Sequence, residues 1–393
     1  MIPPSSSTRR PLGRVAWFLP LVISGFLVAD LVARSLPIDG LCFQAWECVT
    51  RFQEPGSIFE ANRQFRSDRT HGNMSNMGNL PGARVYRPQV FTTDRLGFRN
   101  APGVSQGSVD TVIVGDSFAA GYGISDAETL PVQLTARTGR AFYNAGGPYA
   151  YLQTVRALNT KLASRPRCAI ILWTESEPVE LLQSAEAEVG HPGVSERVLL
   201  RSFGESAGRV REVLRGLWFT SPLKVLAQKA FLAVSNDHVL PNVYAHLVTQ
   251  RTLQNNATML FLPTDVAPFH QHRDVRPAAD HLKWLVTEMT KTGVQPLVVL
   301  VPHKYSVYYP LLADVPARPG DEAHPLATLE QTLRAANIEA IDLTPVLRAR
   351  ARETLASDQY LYWPDDTHWS GRGVEVAADA IRAKWFSDGG IAR

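Results

Sequence analysis

The hydrophobic pattern divides the chain into three regions. Residues 15–33 are almost continuously apolar, and residues 34–106 are polar and irregular, with no sustained period of either kind. From residue 107 onward, short apolar runs alternate with amphipathic stretches. This pattern predicts one N-terminal apolar helix, a connecting segment, and a folded α/β domain over residues 107–389.

Within the folded region, the apolar β-branched run at residues 109–114 is typical of a buried parallel strand. Strand-like runs follow at 140–143, 169–173, 296–301 and 338–343, and helical spacing covers 127–138, 151–164, 278–291, 326–336 and 373–385. Strands that alternate with helices of this size predict a three-layer domain around a mainly parallel sheet. Residues 181–276 break the rhythm with helical patches, which predicts an insertion that caps the carboxyl edge of the sheet.

The apolar N-terminal run follows Arg9, Arg10 and Arg14 and contains a single acid, Asp30. Its length suits a helix that crosses a bilayer. The positive-inside rule then makes residues 1–14 a cytoplasmic tail, residues 15–33 a single-pass anchor in the inner membrane, and residues 34–106 an extracytoplasmic stalk and domain edge. The rest of the chain is expected in the periplasm. A cleaved signal peptide is the alternative reading.

Charge and cysteine usage exclude several classes of function. The 40 basic and 37 acidic residues leave a net charge of +3 without a long basic run, so nucleic acid is not an expected partner. Cys42 and Cys48 could pair in an oxidising compartment or remain two free thiols, and Cys168 is expected as a buried small hydrophobe. No metal or cofactor is expected, because His270 and His272 form the one ligand-spaced pair and are interpreted as an exposed loop.

A candidate nucleophile follows the first predicted strand of the domain, in Gly115-Asp116-Ser117. Open α/β sheets bind ligands beyond the carboxyl ends of their strands. A serine at that point, after a tight glycine turn and at the start of a helix, can attack a carbonyl and contribute its N–H to an oxyanion hole. The tripeptide alone is weak evidence, because strand-to-helix turns favour glycine, aspartate and serine in any case.

A candidate base lies near the other end of the chain, in the loop that contains Asp365, Asp366 and His368. An acid two or three residues before a histidine can hold its Nδ1 side and leave Nε2 facing a serine. Successive side chains of an extended loop project to opposite sides. One of the two carboxylates is therefore expected to orient the imidazole, and the other to face solvent or cap the next helix.

These segments resemble the SGNH (GDSL-like) hydrolase superfamily. Val112-Ile-Val-Gly-Asp-Ser-Phe118 is similar to its first block, Tyr143-Asn-Ala-Gly-Gly147 to its glycine block, and Asp365-Asp-Thr-His368 to its last. The resemblance implies an SGNH-like, flavodoxin-like fold and oxyanion donation from Ser117 and Gly146. The family's third donor is an asparagine in a Gly-x-Asn-Asp block. This chain has Thr174-Glu-Ser-Glu177 there, which leaves Ser176 as a substitute.

A narrower resemblance exists to SGNH-like O-acetyltransferases of alginate and related polysaccharide systems. Val298-Val-Leu-Val-Pro-His-Lys-Tyr-Ser-Val-Tyr308 is similar to their strand ending in Pro-x-Lys, and Asp366-Thr-His-Trp-Ser370 to their Asp-x-His-Trp motif. The latter favours Asp366 over Asp365 as the orienting acid. In the alginate enzymes that motif precedes the serine, whereas here it comes after the serine. Lys304 could bind an anionic sugar or an acetyl donor, or could simply be solvated.

Together these features predict a serine esterase or O-acetyltransferase that acts on O-acetyl groups of a surface or secreted polysaccharide. The expected partners are a carbohydrate or another acyl ester and a membrane-bound protein that donates acyl groups. The aromatic residues around Lys304 and His368 could form a sugar-stacking surface or pack in the core. Two other functions stay open: a non-catalytic glycan-binding subunit of an export assembly, and a membrane-proximal lipase or thioesterase.

Overall fold

The computed structural model describes residues 13–33, 38–50, 59–175, 245–269, 274–315 and 324–386, with isolated positions between 177 and 230. Ser176 and most of the predicted insertion at 181–276 lie outside this part. The strands are β1 (Gln64–Thr70), β2 (Arg87–Thr92), β3 (Thr111–Val114), β4 (Phe142–Asn144), β5 (Cys168–Thr174), β6 (Thr249–Thr252), β7 (Thr258–Phe261), β8 (Gln295–Val301) and β9 (Ala340–Asp342).

The α-helices begin with α1 (Gly13–Ala33), α2 (Ala45–Val49), α3 (Asn73–Met77), α4 (Ser117–Ala120), α5 (Leu130–Thr138) and α6 (Tyr151–Lys161). The C-terminal part adds α7 (Pro263–Phe269), α8 (Arg276–Lys291), α9 (Lys304–Tyr308), α10 (Pro325–Ala335), α11 (Thr344–Thr354) and α12 (Gly371–Ile381). Short 3-10 turns cover Ile38–Leu41, Pro81–Ala83, Val104–Gln106, Asp126–Glu128, Ala245–Leu247, Tyr309–Leu311 and Leu355–Ser357, and α12 ends in a π-helical turn, Arg382–Phe386.

The central sheet of the described chain has the strand order β4-β3-β5-β8-β9, and every neighbouring pair is parallel. In sequence order within the sheet this is 2-1-3-4-5, the flavodoxin-like order of a doubly wound fold. The predicted α/β fold with a mainly parallel sheet is confirmed. The order reverses between β3 and β5, and ligands of such folds bind in the crevice at that switch point.

Alternating strand residues divide the core into two layers, one on each face of the sheet. Ile113, Ile170 and Val299 pack with α5, α9, α11 and α12 on one face. Val112 and Ile171, one position along their strands, pack with α6, α8 and α10 on the other. Because both faces are covered, the strands are apolar at almost every position. β3, for example, is buried along its whole length.

Residues 38–50 and 59–100 contain more regular structure than the irregular sequence predicted. β1 and β2 form an antiparallel hairpin, and a Cys42–Cys48 disulfide closes the turn that includes α2. Cys168 is a buried free thiol. The described end of the predicted helical insertion is also a hairpin, formed by β6 and β7. Among the residues whose side chains the structure describes, no helix combines the length and the hydropathy of a membrane span.

Candidate active site

Ser117 stands at the switch point of the sheet, directly after β3. Gly115 makes the turn at φ 153°, and a Cβ there would lie 2.8 Å from the carbonyl oxygen of Leu172, so the tight turn requires glycine. Asp116 caps α4 by accepting a hydrogen bond from the Phe118 N–H at 2.8 Å. This turn leaves the Ser117 hydroxyl partly exposed at the carboxyl edge of the sheet.

His368 joins this serine to a buried carboxylate. Its Nε2 lies 2.8 Å from Ser117 Oγ, and its Nδ1 lies 2.7 Å from Asp366 Oδ1. The carboxylate at Nδ1 assigns the ring proton to that nitrogen and leaves the Nε2 lone pair for the serine hydroxyl. Burial by itself would raise the pKa of Asp366, but His368 and then Arg87 outweigh it and lower that pKa below its ordinary value. The carboxyl therefore stays ionised.

Asp365 faces away from the histidine, but it neither faces solvent nor caps the next helix, the two alternatives that the sequence suggested; Ser370 caps that helix. The Asp365 side chain is fully buried. The carboxylate accepts hydrogen bonds from the N–H groups of Gly72 at 2.6 Å and Val85 at 2.9 Å, and from Arg87 Nη1 at 2.9 Å. The two adjacent acids thus serve different partners: Asp366 contacts the imidazole, and Asp365 ties residues 363–369, which we call the His368 loop, to the N-terminal segment.

Lys304 is buried beneath the His368 loop, which argues against the substrate-binding role that the sequence suggested. Its Nζ donates to the carbonyl oxygens of Trp363 at 2.9 Å, Pro364 at 3.2 Å and Asp366 at 2.7 Å. Three acceptors use all three donors of the ammonium form. Burial lowers the pKa of Lys304 to about 7, against the opposing effect of the Asp366 and Asp365 carboxylates. Lys304 therefore stabilises the conformation of the His368 loop by binding its backbone carbonyl oxygens.

The resemblance implied that the Gly146 N–H points into the space beside Ser117, but in the structure it does not. It donates to the side-chain oxygen of Asn144 at 2.9 Å. A Cβ at this position would lie 2.3 Å from the Ala120 backbone nitrogen, so glycine is needed for the close approach of the loop to α4. Ser176 lies outside the described residues. In the part of the chain that the structure describes, the Ser117 N–H has no acceptor, so it is available to an oxyanion.

A second acidic cluster lies behind the nucleophile and was not predicted. The Thr174 hydroxyl contacts Glu177 Oε2 at 2.5 Å and Asp116 Oδ2 at 3.3 Å, and the Tyr151 hydroxyl donates to Glu177 Oε1. Burial and then the Glu177 carboxylate raise the pKa of Asp116 well above its ordinary range, and burial also raises the pKa of Glu177.

Aromatic side chains line the site on the side of the N-terminal segment. Phe118 and Tyr122 lie 5.1 and 5.6 Å from the His368 ring, between ring centres. Trp46 stacks on Tyr122 at 5.8 Å, and Tyr149 is 39% exposed nearby. The aromatic residues that the sequence offered as a sugar-stacking surface are instead packed in the core, with the exception of the half-buried Trp363; they are Tyr305, Tyr308, Tyr309 and Trp369.

Within the described residues, no three histidine, cysteine or acidic side chains are grouped as metal ligands. His270 and His272 lie outside them.

Comparison with known proteins bears on the C-terminal third of the chain. Residues 260–388 match the family model described as "SGNH hydrolase-like domain, acetyltransferase AlgX". The predicted resemblance is confirmed. The matched segment runs from the end of β7 through α12 and includes Lys304, Asp366 and His368, whereas Ser117 precedes it. No curated protein matches the chain. The AlgX-like segment thus contains His368 and Asp366, and Ser117 follows β3 of the same sheet.

Proposed function

We propose that this protein is an extracytoplasmic serine acyl-transfer enzyme that adds or removes O-acetyl groups on a polysaccharide. The observation that carries the proposal is the hydrogen-bonded chain from Ser117 through His368 to Asp366 at the switch point of the sheet. A serine, a base and an orienting acid in this order are the parts of a covalent acyl-transfer site. The similarity of residues 260–388 to an acetyltransferase-type SGNH domain supports the choice of acetyl groups.

In the first half-reaction, His368 Nε2 takes the hydroxyl proton of Ser117 as the oxygen attacks the acetyl carbonyl. The Ser117 N–H donates to the oxyanion of the tetrahedral intermediate. The intermediate collapses when the imidazolium returns the proton to the departing alkoxide, which leaves as an alcohol. The product is an acetyl ester of Ser117. Asp366 stabilises the imidazolium throughout and does not itself take up the proton.

The second half-reaction repeats these steps with another nucleophile. Nε2 removes a proton from the acceptor hydroxyl, which attacks the Ser117 ester, and the proton then passes to Ser117 Oγ. If the acceptor is water the reaction is hydrolysis, and if it is a sugar hydroxyl the reaction is transfer. Water access to the acyl-enzyme decides between them. The half-buried ring pair of Trp46 and Tyr122 beside His368 supports a flat sugar ring as the neighbouring group.

The proposed location outside the cytoplasm rests on the N-terminal sequence and one structural feature. Three arginines precede the apolar run that begins at residue 15, and the positive-inside rule places the chain beyond that run on the far side of the membrane. The Cys42–Cys48 disulfide, which closes a turn next to the site, supports an oxidising compartment. The proposal includes a membrane-bound protein that supplies the acetyl groups.

The direct test uses the purified full chain with a chromogenic acetyl ester, alone and with neutral and uronate oligosaccharide acceptors. We expect chromophore release that is lost in Ser117→Ala and retained in Ser108→Ala, an exposed serine of the same segment. Acetylated oligosaccharide would identify a transferase, and free acetate alone an esterase. Oligosaccharide binding without Ser117-dependent ester turnover would contradict the proposal and favour a glycan-binding subunit.

A further inference from the structure

The two oxygens of the Asp366 carboxylate contact different parts of the chain. Asp366 Oδ1 faces His368, whereas Oδ2 faces residues 42–50 and 59–87, termed the N-terminal clasp here. Arg87 Nη2 lies 3.0 Å from Oδ2, and the Asn73 N–H lies 3.2 Å from it. The Gln44 side-chain amide donates to the same oxygen. The clasp therefore holds the carboxylate from behind while the imidazole binds in front.

Arg87 is the central residue of this clasp. Its side chain is 5% exposed. Nη1 donates to Asp365 Oδ1 and to the Val85 carbonyl, both at 2.9 Å, and Nε donates to the Gly123 carbonyl at 3.1 Å. The guanidinium also lies over the Trp363 ring, 4.3 Å from its centre. One planar cation thus bridges both adjacent acids, a geometry that arginine supports and lysine does not.

Gln44 is held by a covalent constraint. It lies between Cys42 and Cys48, and the disulfide closes the turn around it. Gln44 is completely buried, and its side-chain nitrogen also contacts the His71 carbonyl at 3.2 Å. The disulfide-closed turn therefore presents an amide donor to a carboxylate 322 positions away in the chain.

We propose that Arg87 is a positioning residue for the reaction, and that through it the N-terminal clasp is part of the active site. The inference rests on the proposed function. Among the described residues, Arg87 contacts Asp365, Asp366, Trp363 and two backbone carbonyl groups, and not Ser117. It fixes the plane of the Asp366 carboxylate so that Oδ1 meets Nδ1 of His368, while Gln44 and the Asn73 N–H occupy the remaining positions on Oδ2. Asp365 anchors the guanidinium and acts on His368 only through it.

Electrostatics gives the clasp a second effect. The titratable and charged groups that face Asp366 are His368 and Asp365 of its own loop, Arg87 of β2 and Lys304 of α9. Ionising two adjacent buried carboxylates carries a large free-energy cost unless a cation lies between them. Loss of Arg87 therefore favours protonation of one acid, and a protonated Asp366 no longer accepts the Nδ1 proton of His368. Activity should then fall at a higher pH on the acid side.

The test compares Arg87→Met, Arg87→Lys and the double variant Arg87→Met/Asp365→Asn, with Arg66→Met, an exposed arginine of β1, as the matched control. The double variant removes one buried cation and one buried anion together, which keeps the local charge balanced. We expect Arg87→Met to lower kcat at least tenfold at almost unchanged KM for a small acetyl ester and to move the acid limb of kcat upward in pH. Arg87→Lys should recover part of kcat.

The double variant separates positioning from folding. Relative to Arg87→Met, it should regain thermal stability and move the acid limb back toward the wild-type position, because only one buried carboxylate remains, but it should not regain kcat. A substrate-independent readout is the low-field proton resonance of His368 Nδ1–H, identified by its loss in His368→Ala. We expect this resonance in wild type and Arg66→Met, and its loss or strong shift in the double variant.

Wild-type kcat and a wild-type His368 resonance in the double variant would overturn the inference, because Arg87 would then serve the fold alone. Failure of the proposed function is a separate result: ester turnover that survives Ser117→Ala would contradict acyl transfer at this serine. The resonance would still report whether Arg87 positions Asp366.

Discussion

Nε2 of His368 lies 2.8 Å from Oγ of Ser117, although 251 positions separate the two residues in the chain. The serine ends the turn after β3, and the histidine precedes α12, which packs against α5 on the same face of the sheet. Because both loops project from one edge of a parallel sheet, the fold brings them together. The hydrogen bond between the two residues therefore depends on the contacts that hold these two loops in place.

Replacing Asp366 should mainly lower kcat, whereas replacing Asp365 should mainly lower the stability of the fold. Asp366→Asn keeps the shape but presents an amide to Nδ1, which favours the wrong tautomer. We expect kcat to fall on the order of 10³- to 10⁴-fold with little change in folding. Asp365→Asn weakens the contacts with Gly72, Val85 and Arg87, and should lower the free energy of unfolding by about 1–3 kcal/mol.

Ester kinetics and urea unfolding of both Asp→Asn variants measure these effects. If Asp365→Asn is the catalytically crippled variant and Asp366→Asn turns over normally, the assignment of the orienting acid is wrong.

Asp116 should tolerate replacement by its neutral amide. Burial and then the Glu177 carboxylate raise the pKa of Asp116 well above its ordinary value, which favours the uncharged side chain. In Asp116→Asn the amide oxygen can still cap the Phe118 N–H and the amide nitrogen can donate to Thr174. We expect kcat close to wild type. Asp116→Leu, which removes the cap, should cost about 1 kcal/mol of stability and lower kcat. A large loss in Asp116→Asn would show that the carboxyl acts as an anion.

Lys304 makes stability depend on pH in a direction that can be calculated. Its pKa in the folded protein is lowered to about 7, below its unfolded value near 10.4. Between these pKa values the unfolded chain binds the extra proton, so this lysine makes the free energy of unfolding rise with pH across that window. Lys304→Met lacks this contribution. Urea unfolding from pH 7 to pH 10 should show the wild type gaining stability relative to the variant. A constant difference would contradict the lowered pKa.

The Cys42–Cys48 disulfide should stabilise the clasp and the site together. The two cysteines are six positions apart, and closing so short a loop contributes about 2 kcal/mol in the chain-entropy account. Cys42→Ser/Cys48→Ser should lose about that much stability and part of its kcat, because Gln44 lies inside the loop. Reductant should reproduce both effects in wild type and have no effect on the double serine variant. Wild-type stability and turnover in that variant would contradict this role.

Much of the central fold is predictable from the sequence because its signals are local. The run from Val112 to Val114 ends at Gly115, and this pattern identifies a buried parallel strand and its tight turn without any knowledge of partners. β1 carries no such signal: it reads Gln-Phe-Arg-Ser-Asp-Arg-Thr, and its buried positions Phe65, Ser67 and Thr70 are mostly polar. Because polar side chains occupy most buried positions of β1 as well as its exposed ones, the sequence does not predict this strand.

The residues of the site also differ in whether the sequence predicts them. Ser117 and the Asp-x-His segment stand in recognisable local motifs. Arg87 stands in none, because the carboxylate it binds is 278 positions away and one arginine in a polar strand resembles any other. The burial of Lys304 was likewise not predictable, because the carbonyl oxygens that bind its ammonium belong to a loop 59 to 62 positions further along the chain.

Trapping of the covalent intermediate tests the central claim most directly. The full chain is mixed with an acetyl ester, quenched in acid within the first turnover, digested and examined by mass spectrometry. The account predicts one acetyl group on the peptide that contains Ser117, absent in Ser117→Ala, strongly reduced in His368→Ala, and unchanged in Ser108→Ala. Ester turnover with no acetyl group on Ser117, or with the label on another residue, would contradict the proposed acyl-transfer mechanism.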